Sequence, residues 1–408
     1  MNFYKVDFLS ELVSEFIVID EIVKCKEFHR LKKISFLGFL NKIFNLKEEY
    51  SRYDHSLGVA YLALKFCELN SISREEGLNF IIACLLHDIG HFALSHLSEK
   101  AFNLDHKENT YYLINSNKNE EKLNSLNSVF KKNSINRNNI IEILKGQSKY
   151  NYFNEMITNP VNIDTIDAIN RCAYVLNNNF LDPISILSQF YVYEENLFLK
   201  KEKVRLIDNF WLLKKKIYKN YIYNEKNLKL EAMFNYILEI LTKINNNVRF
   251  EEYYEMNDDD LIKNMIANFD GEPKSILNQI LEGNVLNKLH ILKVYSKMNK
   301  YYLDNFSDFI DDTVKKKIPD LKIIERRRIR DFFVKSTLDF YIDDESLWYN
   351  KRYKIDEIYI MICAFKSIKN IKTSIYIPDI EISHEIKGKS FFSTESEGCE
   401  FNRDKSIL

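Results

Sequence analysis

Glycine and proline are scarce in this chain, 9 and 5 in 408 residues. So few breakers disfavour a loop-rich or many-turned architecture and favour a mostly helical one. No apolar run approaches the ~20 residues that cross a bilayer. Asp7, Glu11 and Glu15 interrupt the apolar residues of the N-terminus, which excludes a signal peptide. The six cysteines, at 25, 67, 84, 172, 363 and 399, form no CxxC pair. Cys67 and Cys84 fall within apolar helical patterns and read as core thiols of a reducing compartment. A net charge of −1 gives no global pull toward nucleic acid or membrane. Gly-rich P-loop, GxSxG elbow and zinc-finger spacing are all missing, so kinase, esterase and finger readings find no support. What is abundant is core: 46% hydrophobic and 14% aromatic residues, enough for two domains or one large domain with an appendage. The expectation is a cytoplasmic protein without a membrane span.

Along the chain, residues 1–50 read as helices with an apolar face of Phe8, Leu12, Phe16 and Ile19. Arg52-Tyr53-Asp54-His55 opens a further helix through Leu62, Phe66 and Leu69. Ser73 and Glu76 make a capping box for a helix ending at His87-Asp88. Helical patterns continue through 106–146, and Asn162-Ile163-Asp164 starts another helix. Alternation from Gln189 to Ile207 about Glu194-Glu195-Asn196 predicts a β-hairpin, after which 208–300 returns to helix. Beyond 300 the pattern changes: a charge-rich helix from Lys315 to Arg330, strands between Tyr353 and Pro378, and a polar tail from Ser393. A boundary near 300 therefore divides 1–300 from a C-terminal appendage, 301–408.

The chemistry concentrates in Leu85-Leu86-His87-Asp88-Ile89-Gly90-His91-Phe92-Ala93-Leu94-Ser95-His96. On a helix, His87 and His91 would share a face, with Gly90 letting the chain turn. The ordinary reading of one buried histidine is a local hydrogen bond, but four polar residues in ten positions argue for a ligand set. One metal site can be assembled from His55, His87, Asp88 and Asp164. Two imidazoles and two carboxylates suit manganese, iron, magnesium or zinc and leave room for water and a phosphate oxygen.

The His-Asp pair, together with RYDHSLGV, LLHDIGHFALSH and a later Asp-x-x-Asp, resembles the HD-domain deoxynucleoside triphosphate triphosphohydrolases. That group includes the animal SAM-and-HD enzyme and the microbial dGTPases. The similarity runs from about Ile19 to about residue 300 and takes in FHRLKKISFLG, the hairpin and a Lys-rich helix with Tyr223. The resemblance implies a mainly α HD-superfamily fold with a small β-hairpin and a C-terminal α/β appendage. It implies that His55, His87, Asp88 and Asp164 bind the metal. His91, His96 and His106 would line the catalytic pocket, His91 and His96 on phosphate and His106 as the general acid, with Glu99 orienting it. Histidine suits that task because its unperturbed pKa is ~6.5. Arg52 matches a bidentate phosphate donor, Lys215 a phosphate-binding Arg, Tyr223 a Tyr near the sugar and Leu37 a residue against the 2′ carbon. For Lys215, in a run of three lysines, and for Tyr223, a plain surface role stands beside the functional one.

Departures from the family pattern are specific. Phe36, Ala168 and Cys172 stand where the family reads the 3′-hydroxyl with Gln, Tyr and Asp. Asn162 replaces an Asp, and Lys107-Glu108 follows His106 in place of an immediate Glu. The activity implied is dNTP cleavage to nucleoside and tripolyphosphate, which would fit dNTP depletion against phage in a microbe. The expected partners are the nucleotide substrate, an activating nucleotide and further copies of the chain, as in the family. Rival readings are an HD phosphodiesterase acting on another nucleotide, second messenger or nucleic-acid end, and a catalytically silent nucleotide sensor. The buried ionisable set argues against the sensor, since such groups are costly without a metal.

Overall fold

The computed structural model describes residues 3–102, 104–116, 125–200, 202, 204–244 and 254–286, and the strands 289–295, 322–330, 337–342, 347–352, 358–365 and 374–376. Its centre is the helix Arg52–Leu69, buried on nearly every side through Leu57, Val59, Leu62, Phe66 and their neighbours. A helix apolar all round has no solvent face to spare and must sit inside other helices. Phe8–Glu15, Arg74–Leu86 and Ile163–Val175 pack around it and share one apolar core with it. A second core gathers on Glu225–Ile244, where Phe39, Phe234, Leu238, Leu261, Phe269 and Leu277 meet.

Caps decide where the site-bearing helices begin. Ser51 accepts from the Asp54 N–H while Asp54 accepts from the Ser51 N–H at 2.9 Å, a reciprocal capping box. Ser73 caps Arg74–Leu86 through the Glu76 N–H. Asn162 and Thr165 form a second reciprocal box ahead of Ile163–Val175. Each such cap is worth ~1 kcal/mol. Together they set His55 in a first helical turn, His87 at a helix end and Asp164 in another first turn.

The mainly helical fold carries the expected small hairpin: Phe190–Tyr193 pairs antiparallel with Asn196–Leu199. Glu194 and Glu195 between them both adopt positive φ, as a two-residue hairpin turn requires. Asn196–Leu199 continues into a parallel pairing with Thr337–Ile342, which pairs with Leu347–Arg352. A second sheet has the order Lys322–Arg330, Ile358–Phe365, Leu289–Tyr295, Ser374–Tyr376. Both sheets thus join segments on either side of residue 300.

Two helical expectations fail here. Leu289–Tyr295, placed in a helical region, is a strand paired with Ile358–Phe365 from Leu289↔Phe365 to Tyr295↔Tyr359. Its Ile, Val and Tyr favour the extended form once a partner exists. Lys322–Arg330, expected as the end of a charge-rich helix, is a strand at the edge of the second sheet. Long-range pairing outweighs local helix propensity, and charged residues suit an edge that must not recruit another strand. The first part of that expected helix, 315–321, and the tail from Ser393 lie outside the described residues. Cys25, Cys67, Cys84 and Cys172 are free and buried. Among the described residues no helix is long and apolar enough to cross a membrane.

Gly90 shows a different reason for glycine than a left-handed turn. Its N–H donates to Thr110 Oγ1 at 3.0 Å, and a Cβ there would overlap the His106 carbonyl and the Thr110 backbone. Gly90→Ala should therefore destabilise the protein by ~1–3 kcal/mol. A urea midpoint equal to that of the unmodified protein would show that the helix His106–Asn115 can move away freely.

Candidate metal centre and active site

The donor group begins with two histidines whose outer nitrogens are already committed. His55 Nδ1 lies 2.8 Å from Asp167 Oδ2, and both Asp167 oxygens accept from Arg171, each at 2.9 Å. An ionised carboxylate only accepts, so His55 Nδ1 carries the hydrogen. His87 Nδ1 lies 2.7 Å from the Cys84 carbonyl oxygen, which fixes its tautomer in the same way. Both Nε2 atoms are left with lone pairs, and they face each other at 3.2 Å. Asp164 Oδ1 adds a third electron-rich atom, 3.0 Å from His55 Nε2 and 3.8 Å from His87 Nε2.

Such an arrangement repels itself unless a positive charge stands within it. Burial opposes charging His55, yet the bonds to Asp164 and Asp167 outweigh burial and push its pKa up to about 9, so that without a metal ion a proton on Nε2 supplies that charge. Asp164 is held well below the usual carboxylate range, with burial opposing and His55 and His87 prevailing. Donor separations of this order match adjacent ligands around an ion with bonds of ~2.0–2.2 Å. His55, His87 and Asp164 are accordingly positioned to hold a divalent metal ion. Carboxylate–histidine–metal chains of the kind made by Asp167 orient the ring and raise its basicity.

Asp88 stands at the edge of this group. Its Oδ2 accepts from Arg52 Nη1 at 2.6 Å and lies 3.8 Å from His55 Nε2. Its Oδ1 is 3.4 Å from His87 Nε2 and 3.3 Å from His91 Nε2. The helix stops at Leu86 with His87 as its cap, so His87 and His91 do not share a helical face as expected. After the turn the Nε2 atoms of both rings approach the same Asp88 oxygen, Oδ1. Arg52 is buried, with Nε donating to Ser95 Oγ at 2.9 Å and the guanidinium 4.3 Å from the Phe36 ring centre. In this arrangement it holds Asp88.

Glu99 forms a second hub. Its Oε1 is 2.8 Å from His106 Nδ1 and 3.3 Å from His91 Nδ1, and its Oε2 is 3.0 Å from His96 Nδ1. Burial opposes its charge, but the three imidazoles hold it far below the ordinary range. By distance alone these four residues could also hold an ion. The His91 and His106 rings, however, stack at 4.1 Å with 7° between planes. Parallel rings that far apart cannot both aim an in-plane lone pair at one ion, which favours the His55, His87 and Asp164 group as the cation site. His91 is driven down to about 4 by burial and by the Arg52 charge, against Asp88 and Glu99, and stays neutral.

With that geometry in hand, a family model decides the kinship of the central segment. Residues 52–163 match the HD domain. This HD segment begins at Arg52 and ends one residue before Asp164. Relatives include the uncharacterized protein YwfO of Bacillus subtilis, 26% identical over 209 residues that cover 49% of this chain and 47% of that one. The MG461 homolog of Mycoplasma pneumoniae is 28% identical over 229 residues, 50% of this chain and 51% of that one. The chain thus spans about half the length of these two relatives. A phosphohydrolase from Bacteroides thetaiotaomicron superposes with a TM-score of 0.64 at 15% identity, covering 85% of this chain and 95% of that one. A hypothetical protein from Aquifex aeolicus gives 0.61 at 18% identity, covering 83% and 90%. At these identities the likeness concerns the HD-domain fold.

The Phe36 ring centre is 4.5 Å from that of His55, and Leu37 follows it half-buried. Ala168 and Cys172 continue the Asp164 face of their helix at four-residue steps. Cys172 Sγ is 3.8 Å from the Tyr50 hydroxyl. Lys215 ends the helix Val204–Ile217, and Tyr223 follows a π-helical turn, Tyr218–Ile222. Tyr218, half-buried against Tyr223, is the unforeseen residue of that turn. Burial raises its hydroxyl pKa, with Tyr223, Cys172 and Asp164 near enough to add to the effect. Arg171 and Ser95 were also unforeseen. The i,i+4 spacing of Asp167 and Arg171 was an available signal, whereas nothing local marks Ser95.

Replacing His87 or Asp164 by Ala should strip the bound divalent ion while the helical circular dichroism stays. Elemental analysis after dialysis checks this, and a stoichiometric ion retained in both variants would remove the pair from the metal site.

Proposed function

We propose that this chain is a metal-dependent nucleotide phosphohydrolase, in its closest form a dNTP triphosphohydrolase that releases deoxynucleoside and tripolyphosphate. The observation that carries the reading is the adjacency, at the HD segment and the residue that follows it, of a three-donor cation site and a His106 beside Glu99, with Asp88 and His91 between them. A divalent cation held by His55, His87 and Asp164 supplies Lewis-acid stabilisation of charge on a phosphoryl oxygen.

The chain's own residues account for the proton. Glu99 is ionised and its Oε1 lies 2.8 Å from His106 Nδ1, so Nε2 is the nitrogen left to face a substrate. In the proposed reaction the oxygen of water bonds to the α-phosphorus, the bond from phosphorus to the 5′-oxygen breaks, and a proton of that water is released to solvent. His106 Nε2 gives its proton to that leaving oxygen, and the Glu99 carboxylate beside Nδ1 orients the ring. His96, 62% exposed at its side chain and tied to Glu99 by Nδ1, is placed to meet the polyphosphate. Arg52, held on Asp88 and Ser95, acts here as support for Asp88 as well as in the phosphate role its position suggests.

His106→Ala should keep the metal and bind nucleotide, but turn over ~10²–10⁴-fold more slowly. Equal losses in binding and rate, measured by single-turnover kinetics and equilibrium binding, would make it a positioning residue.

Substrate choice follows from the wall beside the donors. Phe36 lies against His55, and Ala168 shares the Asp164 face; neither offers a hydrogen bond to a sugar hydroxyl. A pocket that does not bond a hydroxyl discriminates weakly against its loss. In a screen of dNTPs, NTPs, cyclic nucleotides and 2′,3′-dideoxynucleotides, the dideoxy forms should stay within ~10-fold of the dNTPs in kcat/KM, against the 10⁴–10⁵ of a hydroxyl-reading site. A loss of ~100-fold or more without the 3′-hydroxyl would show that another residue reads it. Turnover confined to cyclic nucleotides would favour the phosphodiesterase reading.

A further inference from the structure

Asp258 is the first residue of the helix Asp258–Asn268, yet its carboxylate does not cap that helix; Asn257 does, through the Asp260 N–H. Asp258 turns instead toward the HD segment. Its Oδ1 accepts from the Leu94 N–H at 2.6 Å and its Oδ2 from the Ser35 N–H at 2.8 Å. These two N–H groups are some sixty residues apart in sequence, and each lies one residue from a group at the metal centre. Phe36, which packs on His55, follows Ser35, and Ser95, which holds Arg52, follows Leu94.

The turn so gripped is a strained one. Leu94 and Ser95 are consecutive non-glycine residues in the left-handed region, at φ 58° and 55°. Such residues persist only where surrounding bonds over-determine them. Those bonds are visible: Ser95 Oγ donates to the Ser35 carbonyl at 2.9 Å and accepts from Arg52 Nε at 2.9 Å, and Ser98 Oγ donates to the Ser95 carbonyl at 3.2 Å. Arg52 Nη1 then reaches Asp88 at 2.6 Å. An unbroken run of hydrogen bonds joins Asp258 to Asp88.

We propose that Asp258 is a positioning residue for the metal centre, clamping Ser35 to the Leu94–Ser95 turn and, through Ser95 and Arg52, fixing Asp88 beside His55 and His87. The helix Asp258–Asn268 thereby belongs to the working site although it follows the HD segment by almost a hundred residues. Asp259 and Asp260, exposed on the same helix, take no part in the clamp. Burial pushes the Asp258 carboxyl up to about 6 against the pull of the two N–H bonds, as expected of a carboxylate held inside a joint. The inference rests on the divalent-metal reading of the site and on no particular substrate.

The test uses the full chain loaded with Co(II), whose visible spectrum reports ligand geometry. Asp258→Asn keeps the side-chain size but offers only one acceptor to two N–H groups. It should weaken Co(II) binding ~10-fold, the lower end for groups behind the ligands, and alter the spectrum. Asp259→Asn removes the same charge one residue away and should change neither. If Asp258→Asn fails to fold, Ser95→Ala cuts the same run one link closer and should give the same shift. The double variant should add little to either single change. Wild-type affinity and spectrum in a folded Asp258→Asn or Ser95→Ala protein would overturn the proposal. Loss of fold in both would overturn it too, by making the clamp a requirement of folding. Failure of the wild-type protein to hydrolyse any nucleotide would sink the proposed reaction and leave the Co(II) comparison standing.

Discussion

Two imidazole lone pairs held 3.2 Å apart, with a carboxylate oxygen beside them, are the constraint on which the site depends. Each ring is locked from behind, His55 by Asp167 and His87 by the Cys84 carbonyl, so neither can turn away to relieve the repulsion. Those locks depend on packing. Asp167 is buried with Arg171, whose guanidinium lies 4.7 Å from the Tyr4 ring centre, and Cys84 sits in the helix that packs on Arg52–Leu69. Taking one donor away leaves the others as buried charge without compensation, which is far costlier than never building the site. The core and the cation site therefore support one another.

Beside this centre lies a second, differently organised set of ionisable groups. Around His55 and His87 two Nε2 atoms converge; around Glu99 three Nδ1 atoms lie within 3.3 Å of one carboxylate. Asp88 separates the two sets, with an oxygen 3.4 Å from His87 and 3.3 Å from His91. Neighbouring imidazoles can thus hold opposite tasks, one pair open to a cation and another aimed by an anion. The same division of labour by environment lets carboxylates or histidines of one enzyme act in different protonation states.

Much of this was legible in the sequence because it is local. The Ser73–Glu76 pair announced one helix start, and breaker scarcity announced the helical class. The hairpin was readable from alternation around Glu194-Glu195. What was not legible is set by partners far away in the chain. Leu289–Tyr295 and Lys322–Arg330 become strands because Ile358–Phe365 lies between them, and no window of ten residues contains that fact. His87 and His91 looked like helical neighbours because periodicity cannot see a helix end forced by the close approach of His106–Asn115 at Gly90. Arg52 looked like an open phosphate donor, since its burial against Asp88 and Ser95 is a tertiary event. Asp258 is one acid in a run of three, and nothing local sets it apart from its neighbours.

The spacing of the parts along the chain has a bearing on synthesis. His55, His87 and Asp164, with Asp167 and Arg171 behind them, all precede residue 172 and are made before the strands that follow. The helices that carry them pack mainly on one another, so this portion can condense as the ribosome releases it, N-terminal part first. The hairpin strand Asn196–Leu199 must wait with an open edge until Thr337–Ile342 emerges to pair with it. A nascent chain would pass through an interval in which the cation-binding helices are formed while a strand edge is still exposed, the condition under which chains associate wrongly with their neighbours. Early capture of a metal ion, by stabilising the helical part during that interval, would make the protein's yield depend on metal supply well before any turnover does.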